Sequence, residues 1–159
     1  MMFKSHLAIA AGGYFVALSS LSNHFEYVTT PMLMGGLLTL IGCIFPDIDH
    51  KNSFIGKRLR FISAPISFVF GHRGITHSLM PLIFLIIFYG HQTPAWLMWI
   101  YFGYFMHLIG DFITDAGIPL LYPITNKRFR FLLVTKTNSI GEPILVVVFL
   151  VACLLWVFL

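Results

Sequence analysis

Imidazoles and carboxylates recur in this sequence at short, ordered spacings. His6 stands near the start, Asp47 and Asp49 sit in Pro46-Asp47-Ile48-Asp49-His50, and His72, Arg73, Thr76 and His77 share the stretch from Gly71 to Ser78. Farther on, His107, Asp111 and Asp115 recur at every fourth residue. Residues four apart on a helix are neighbours on one face, so a helix through all three presents an imidazole and two carboxylates in a row. A donor set of imidazole and carboxylate without thiolate suits Zn²⁺, with Mn²⁺ or Fe²⁺ as alternatives, better than Ca²⁺ or a soft metal. One or two ions can be served by these residues. Two ions about 3.5–4 Å apart, bridged by a carboxylate, would activate water and clamp a leaving oxygen.

The elements that must position them are apolar. Five stretches, about Leu7–Leu21, Met32–Phe45, Leu79–Tyr89, Ala95–Ile109 and Ile144–Leu159, alternate with segments carrying Pro, Gly, Asn and charge. Each is read as a helix, because a helix satisfies its own backbone in lipid and a lone strand does not. The predicted fold is all-α: one domain over residues 1–159, a polytopic membrane bundle of about five transmembrane helices. Phe61–Gly71, interrupted by Pro65, is too short to span and is predicted to be interfacial or re-entrant.

Composition agrees with that medium. Of 159 residues, 58% are apolar and 10% charged, against roughly 25% charged in soluble domains. The formal charge of +4 is spread over loops, where it orients helices and meets anionic lipid, so membrane lipid is the expected partner and no nucleic acid is expected. Cys43 and Cys153 each lie alone in an apolar run, which indicates neither a disulfide framework nor a thiolate site. Lys4 ahead of the first span resembles a signal-peptide start, but the multi-span pattern that follows argues for a retained helix.

Basic residues set the orientation. Lys4 precedes the first span, Lys51, Lys57, Arg58, Arg60 and Arg73 fill the second loop, and Lys127, Arg128, Arg130 and Lys136 fill the fourth. The first and third loops hold no Lys or Arg. The positive-inside rule then places the N-terminus in the cytoplasm and the C-terminus outside. On that topology His6, Asp47, Asp49, His72, His77, His107, Asp111 and Asp115 all fall at cytoplasmic helix ends. Singly, each has a plain structural reading: Asp47 and Asp49 as turn residues beside Pro46, Arg73 as a topogenic charge, Thr76 or Ser78 as a cap. Glu142, three residues after Ser139, has capping-box spacing and is read as a helix-start residue. His24 and His91, in the outer loops, are read as solvated. Together, eight ionisable residues at one face of a membrane are expected to be paired, hydrated or ligating.

With these residues in view, the chain resembles the YdjM-type family of inner-membrane proteins, described in bacteria as LexA-regulated and predicted to be metal-dependent hydrolases. The resemblance rests on His6 in Ser-His-Leu-Ala-Ile-Ala, Pro-Asp-Ile-Asp-His at 46–50, Gly-His-Arg-Gly-Ile-Thr-His-Ser at 71–78 and His-Leu-Ile-Gly-Asp at 107–111. That family is held to be distantly similar to zinc-dependent phospholipases C and single-strand nucleases. The resemblance implies His6 as the near-N-terminal ligand, Asp47 as the isolated Asp ligand and either His72 or His77 as the middle His. It also implies His107 and Asp111 as a His-x-x-x-Asp pair whose Asp bridges two ions. The later His-x-x-x-Glu pair of those enzymes has no counterpart, since no His follows His107.

The expectation is therefore a hydrolase in a bacterial inner membrane, acting on a lipid-like phosphoester at a cytoplasm-facing site. Arg73 would neutralise developing charge, and Asp49 or Asp115 would act as general base or orient a ligating imidazole. Lys57, Arg58 and Arg60 would hold an anionic headgroup. A metal or proton transporter is the alternative, opposed by the absence of matching polar residues in the outer half of the spans. A non-enzymatic partner protein is a third reading.

Overall fold

The computed structural model describes residues 1–22, 31–71, 73–132 and 134–158. Among these residues the fold is helical, and pairing of extended backbone is limited to two isolated bridges, Thr114 with Thr135 and Ile118 with Phe129. The helices are α1 (Phe3–Ser22), α2 (Met32–Ile44), α3 (Phe54–Arg58), α4 (Arg60–Phe70), α5 (Met80–Tyr89), α6 (Ala95–Phe112) and α7 (Gly141–Phe158). Tight 3₁₀ turns at Phe45–Asp49 and Ile75–His77 follow α2 and precede α5.

Pro and Gly set the breaks. Pro31 and Pro94 stand immediately before α2 and α6, and Gly71, at φ +70°, ends α4, a left-handed conformation that glycine adopts without steric cost. Ser53 caps α3 by accepting from Gly56 N at 2.9 Å while its hydroxyl donates to the Asp47 carbonyl at 2.7 Å. That bond fastens α3 to the turn carrying the Asp pair.

The core lies where α1, α2, α6 and α7 meet, around Ile9, Ala10, Cys43, Met106 and Val146. Among the described residues the α2–α6 contact is the most extensive between two helices. Two glycines allow it: a methyl group on Gly42 would overlap the Ile100 carbonyl, and one on Gly103 would overlap the Thr39 carbonyl. Small residues that let backbones touch replace apolar burial as the means of helix association in lipid.

The outer surface is apolar. Leu33, Phe84, Ile87, Val148, Trp156 and Phe158 are all exposed, large apolar side chains that lipid would cover. By length and hydropathy, 32–49 and Gly141–Phe158 qualify as membrane spans. α5 has ten residues, about 15 Å of rise against a bilayer core of about 30 Å.

Candidate metal centre

Two walls, one of helices and one of turns, meet at one end of this bundle. α6 supplies His107 and Asp111, α1 supplies His6, and the 3₁₀ turns supply Asp47, Asp49 and His77. His6, Asp49, His77, His107 and Asp111 are all buried.

Each imidazole of the central pair is held from behind. His107 Nδ1 lies 2.8 Å from the Cys43 carbonyl, a contact that the α2–α6 approach creates. His77 Nδ1 lies 3.1 Å from Asp49 Oδ2. Both partners are acceptors, so each Nδ1 donates and each Nε2 is turned inward, the atom that the neutral form of the ring would offer as a ligand. Burial lowers the pKa of His77, which favours the neutral, ligating form.

The inward atoms converge. His77 Nε2 and His107 Nε2 are 3.3 Å apart, and Asp111 Oδ2 lies 3.5 Å and 3.7 Å from them. Asp47 Oδ1 stands 4.0 Å from His77 Nε2 and 3.9 Å from His107 Nε2. Ligands ~2.1 Å from a tetrahedral ion stand ~3.4 Å from one another. Two imidazoles and two carboxylates at such spacing, with no thiolate, are a donor set that fits a divalent ion. His6, His107 and Asp111 form a second group able to hold one, overlapping the group of Asp47, His77 and His107. His6 stacks on His107 with ring centroids 3.9 Å apart, and its Nε2 lies 3.3 Å from Asp111 Oδ1. Its buried Nδ1 has no hydrogen-bond partner among the described residues. Gly110 makes room for this ring: a Cβ there would come 2.7 Å from His6 Nδ1.

Arg73 joins both walls. Its backbone, at φ +61°, points its N–H at Asp49 Oδ2 (2.8 Å), and its guanidinium donates to Asp111 Oδ1 (3.1 Å) and to the Gly117 carbonyl (3.2 Å). A non-glycine residue in this conformation is uncommon. The Met1 amino group also donates to Asp111 Oδ1, at 2.7 Å. A cavity of about 350 Å³, lined among others by His6, Asp47, Ser53, Phe54, Arg73 and Asp111, opens onto the cluster. A second cavity, about 380 Å³ and mostly apolar, lies beyond the same turn against Pro46, Ile48, Thr76 and Tyr104.

Of the predicted site residues, His6, Asp47, Asp49, Arg73, His77, His107 and Asp111 are brought together. His72 and His24 lie outside the described residues, as does the side chain of His91. The row on α6 stops at Asp111, because the helix ends at Phe112. Thr114 donates both its N–H and its hydroxyl to the Asp111 carbonyl, and Asp115 is exposed, with its N–H on Thr135. Asp115 belongs to neither ligand group. Glu142 is the predicted helix-start residue: Oε2 accepts from Asn138 N at 2.7 Å, while Oε1 ties down Met2 N at 2.6 Å. Two contributors were not anticipated. Thr76 donates to Asp49 Oδ2 at 2.5 Å, whereas its type and place suggested a cap. The Cys43 carbonyl is backbone, and carries no sequence signal at all.

Comparison with known proteins agrees with a membrane setting. Over 99 residues the chain is 43% identical to "Inner membrane protein YdjM" of Escherichia coli (strain K12), and equally to the protein of that name in Shigella flexneri, covering 58% of this chain and 49% of each relative. The chain thus spans about half the length of these relatives. It is 37% identical over 123 residues to "Uncharacterized protein YvsG" of Bacillus subtilis (strain 168), covering 74% of both chains. No solved structure matches. The family described as YdjM inner membrane protein matches residues 1–159, which takes in all of the clustered His and Asp residues, and this membrane protein belongs to that family.

Proposed function

We propose that this protein is a membrane-bound, metal-dependent hydrolase acting on a phosphoester, carried by a lipid. The observation that carries this reading is the convergence of two imidazoles and two carboxylates, with His77 Nε2, His107 Nε2, Asp47 Oδ1 and Asp111 Oδ2 at 3.3–4.0 Å. Those four side chains would hold one divalent ion, most readily Zn²⁺, and His6 with Asp111 Oδ1 offers a place for another. A bound ion supplies Lewis acidity and a water of lowered pKa. Asp49 holds His77 in its ligating tautomer and the Cys43 carbonyl does the same for His107. Arg73, on the wall of the polar cavity, is placed to take non-bridging phosphoryl oxygens and offset the charge that develops on them. Its bond to Asp111 keeps that guanidinium beside the ligands.

The membrane arrangement that fits this chemistry has α1, α2, α5, α6 and α7 crossing a bacterial inner membrane, the short helices continued by their polar flanks or met by a thinned bilayer, with the N-terminus and the site on the cytoplasmic side and the C-terminus outside. The alternation of basic and uncharged loops supports it. A reporter in the 127–136 loop should then read as cytoplasmic, and one fused at the C-terminal end as external.

Metal analysis of detergent-purified protein, with a screen of phosphoesters and acyl esters, tests the reading. Bound metal in the wild type and phosphoester turnover that disappears with chelation are expected. Hydrolysis that survives complete metal removal, or protein that binds no divalent ion, defeats it. Within that assay Arg73→Lys should keep its metal but lose about tenfold or more in turnover, since Lys lacks the planar fork that grips two oxygens.

A further inference from the structure

α4 is built inside out for a helix in water. Ser63 faces the protein and is 0% exposed, whereas Phe61 and Phe68 face outward at 97% and 89% exposure. Ile62, Pro65 and Val69 lie on the same outward arc, all exposed. The inner side rests on the 45–49 turn, as does α3, so the helix that turns its apolar face outward is braced against the Asp pair.

The elbow between α3 and α4 is the reverse in character. Lys57, Arg58 and Arg60 are exposed there, and the 51–70 segment contains no acidic residue. Arg58 is fixed: its guanidinium donates to the Phe54 carbonyl at 2.8 Å and lies 3.7 Å over the Phe54 ring. Phe54 in turn stacks on Phe3 at 4.5 Å and lines the polar cavity beside the His/Asp cluster. The cationic elbow thus adjoins an apolar outward face on α4 and, through Arg58 on Phe54, the wall of that cavity.

We propose that the α3–α4 hairpin is a binding site for an anionic phospholipid, the headgroup phosphate held by Lys57, Arg58 and Arg60 and the acyl chains lying along Phe61 and Phe68. Charge complementarity selects the headgroup, and the outward apolar arc requires hydrocarbon next to it, which a soluble anion or acidic protein does not supply. In naming the substrate class offered to the cavity, this inference rests on the hydrolase reading above; the lipid binding itself does not.

Native mass spectrometry of the full chain in detergent, titrated separately with phosphatidylglycerol and phosphatidylcholine, reads the binding directly. Wild type should prefer phosphatidylglycerol, and Lys57→Gln/Arg58→Gln/Arg60→Gln should reduce that lipid to the phosphatidylcholine level, with about fivefold lost per charge. The single changes Lys57→Gln and Arg60→Gln, at exposed positions, give the same direction where the triple variant is unstable. Lys127→Gln/Arg128→Gln/Arg130→Gln removes equal charge elsewhere and should keep the preference. An unchanged preference in the first triple, or an equal loss in the second, overturns the proposal. So does a dimer that Phe61→Ser/Phe68→Ser converts to monomer, since the face would then belong to a second copy. Occupancy is read without turnover: an inactive protein that keeps its preference overturns only the hydrolase reading, and an active one without it overturns only this one.

Discussion

The candidate metal centre has a helical wall and a turn wall, and they hold their side chains by different physics. On the helical side, His107 and Asp111 owe their places to backbone contact: Gly42 and Gly103 bring α2 and α6 together, and the same approach sets the Cys43 carbonyl behind His107. On the turn side α3 and α4 pack against the 45–49 turn, but the side chains are fixed mainly by polar contacts. Asp47, Asp49, Arg73 and His77 come from short 3₁₀ turns and a residue at positive φ, and hydrogen bonds hold them: Asp49 Oδ2 alone receives Arg73 N, the Thr76 hydroxyl and His77 Nδ1. A wall made by packing cannot lose its geometry without losing the fold. A wall made by hydrogen bonds can lose one without the other.

The largest effects should expose that difference on the helical side. His107→Ala or Asp111→Ala removes an inward acceptor and should abolish stoichiometric metal binding in equilibrium dialysis. Gly103→Ala touches no ligand, yet its new methyl group meets the Thr39 carbonyl. It should cost about 1–3 kcal/mol of stability as an overpacked contact and lose metal in proportion to the loss of folded protein. A Gly103→Ala protein with unchanged melting temperature and full metal content would show that the α2–α6 approach does not set the site.

On the turn side, Asp49→Asn keeps the shape of the side chain but removes its charge and makes one of its terminal atoms a donor. Loss of a carboxylate behind a ligating imidazole typically weakens metal binding about 10–100-fold. Here that loss should come with a helical circular dichroism spectrum indistinguishable from wild type. Unfolding together with metal loss would mean that both walls are packing walls, and the contrast would vanish.

What could be read in the sequence follows the same division. His-Leu-Ile-Gly-Asp and Pro-Asp-Ile-Asp-His point to ligands because helix and turn geometry are local, and positions four apart share a face whatever surrounds them. The extension of that row to Asp115 failed for a local reason too, since Thr114 closes α6 on the Asp111 carbonyl. Which helices touch is not local. Nothing in the spacing of Gly42 and Gly103 says that each faces a carbonyl of the other helix, so the support behind His107 was invisible. Phe61–Gly71 could be read as interfacial, but only the fold reveals that Ser63 is its inward side. Membrane character was legible from composition because lipid must cover what a short chain cannot bury.

The smallest effect on metal affinity belongs to Thr76, whose hydroxyl donates to Asp49 Oδ2 while its side chain also lines the apolar cavity. Thr76→Val keeps the volume and the apolar contact and removes only that donor. Asp49 retains Arg73 N and His77 Nδ1, so His77 should stay in its ligating tautomer and metal affinity should fall less than in Asp49→Asn, by under about tenfold. Stability should fall by about 1.5–3 kcal/mol, the contribution of a hydrogen bond to a charged group. Thr76→Ser, which restores the donor and loses a methyl group, should recover most of the affinity. If Thr76→Val instead matches Asp49→Asn in metal loss and Thr76→Ser does not rescue it, the hydroxyl is not acting through Asp49. The turn wall would then owe its geometry to packing against the apolar cavity, like the helical wall opposite.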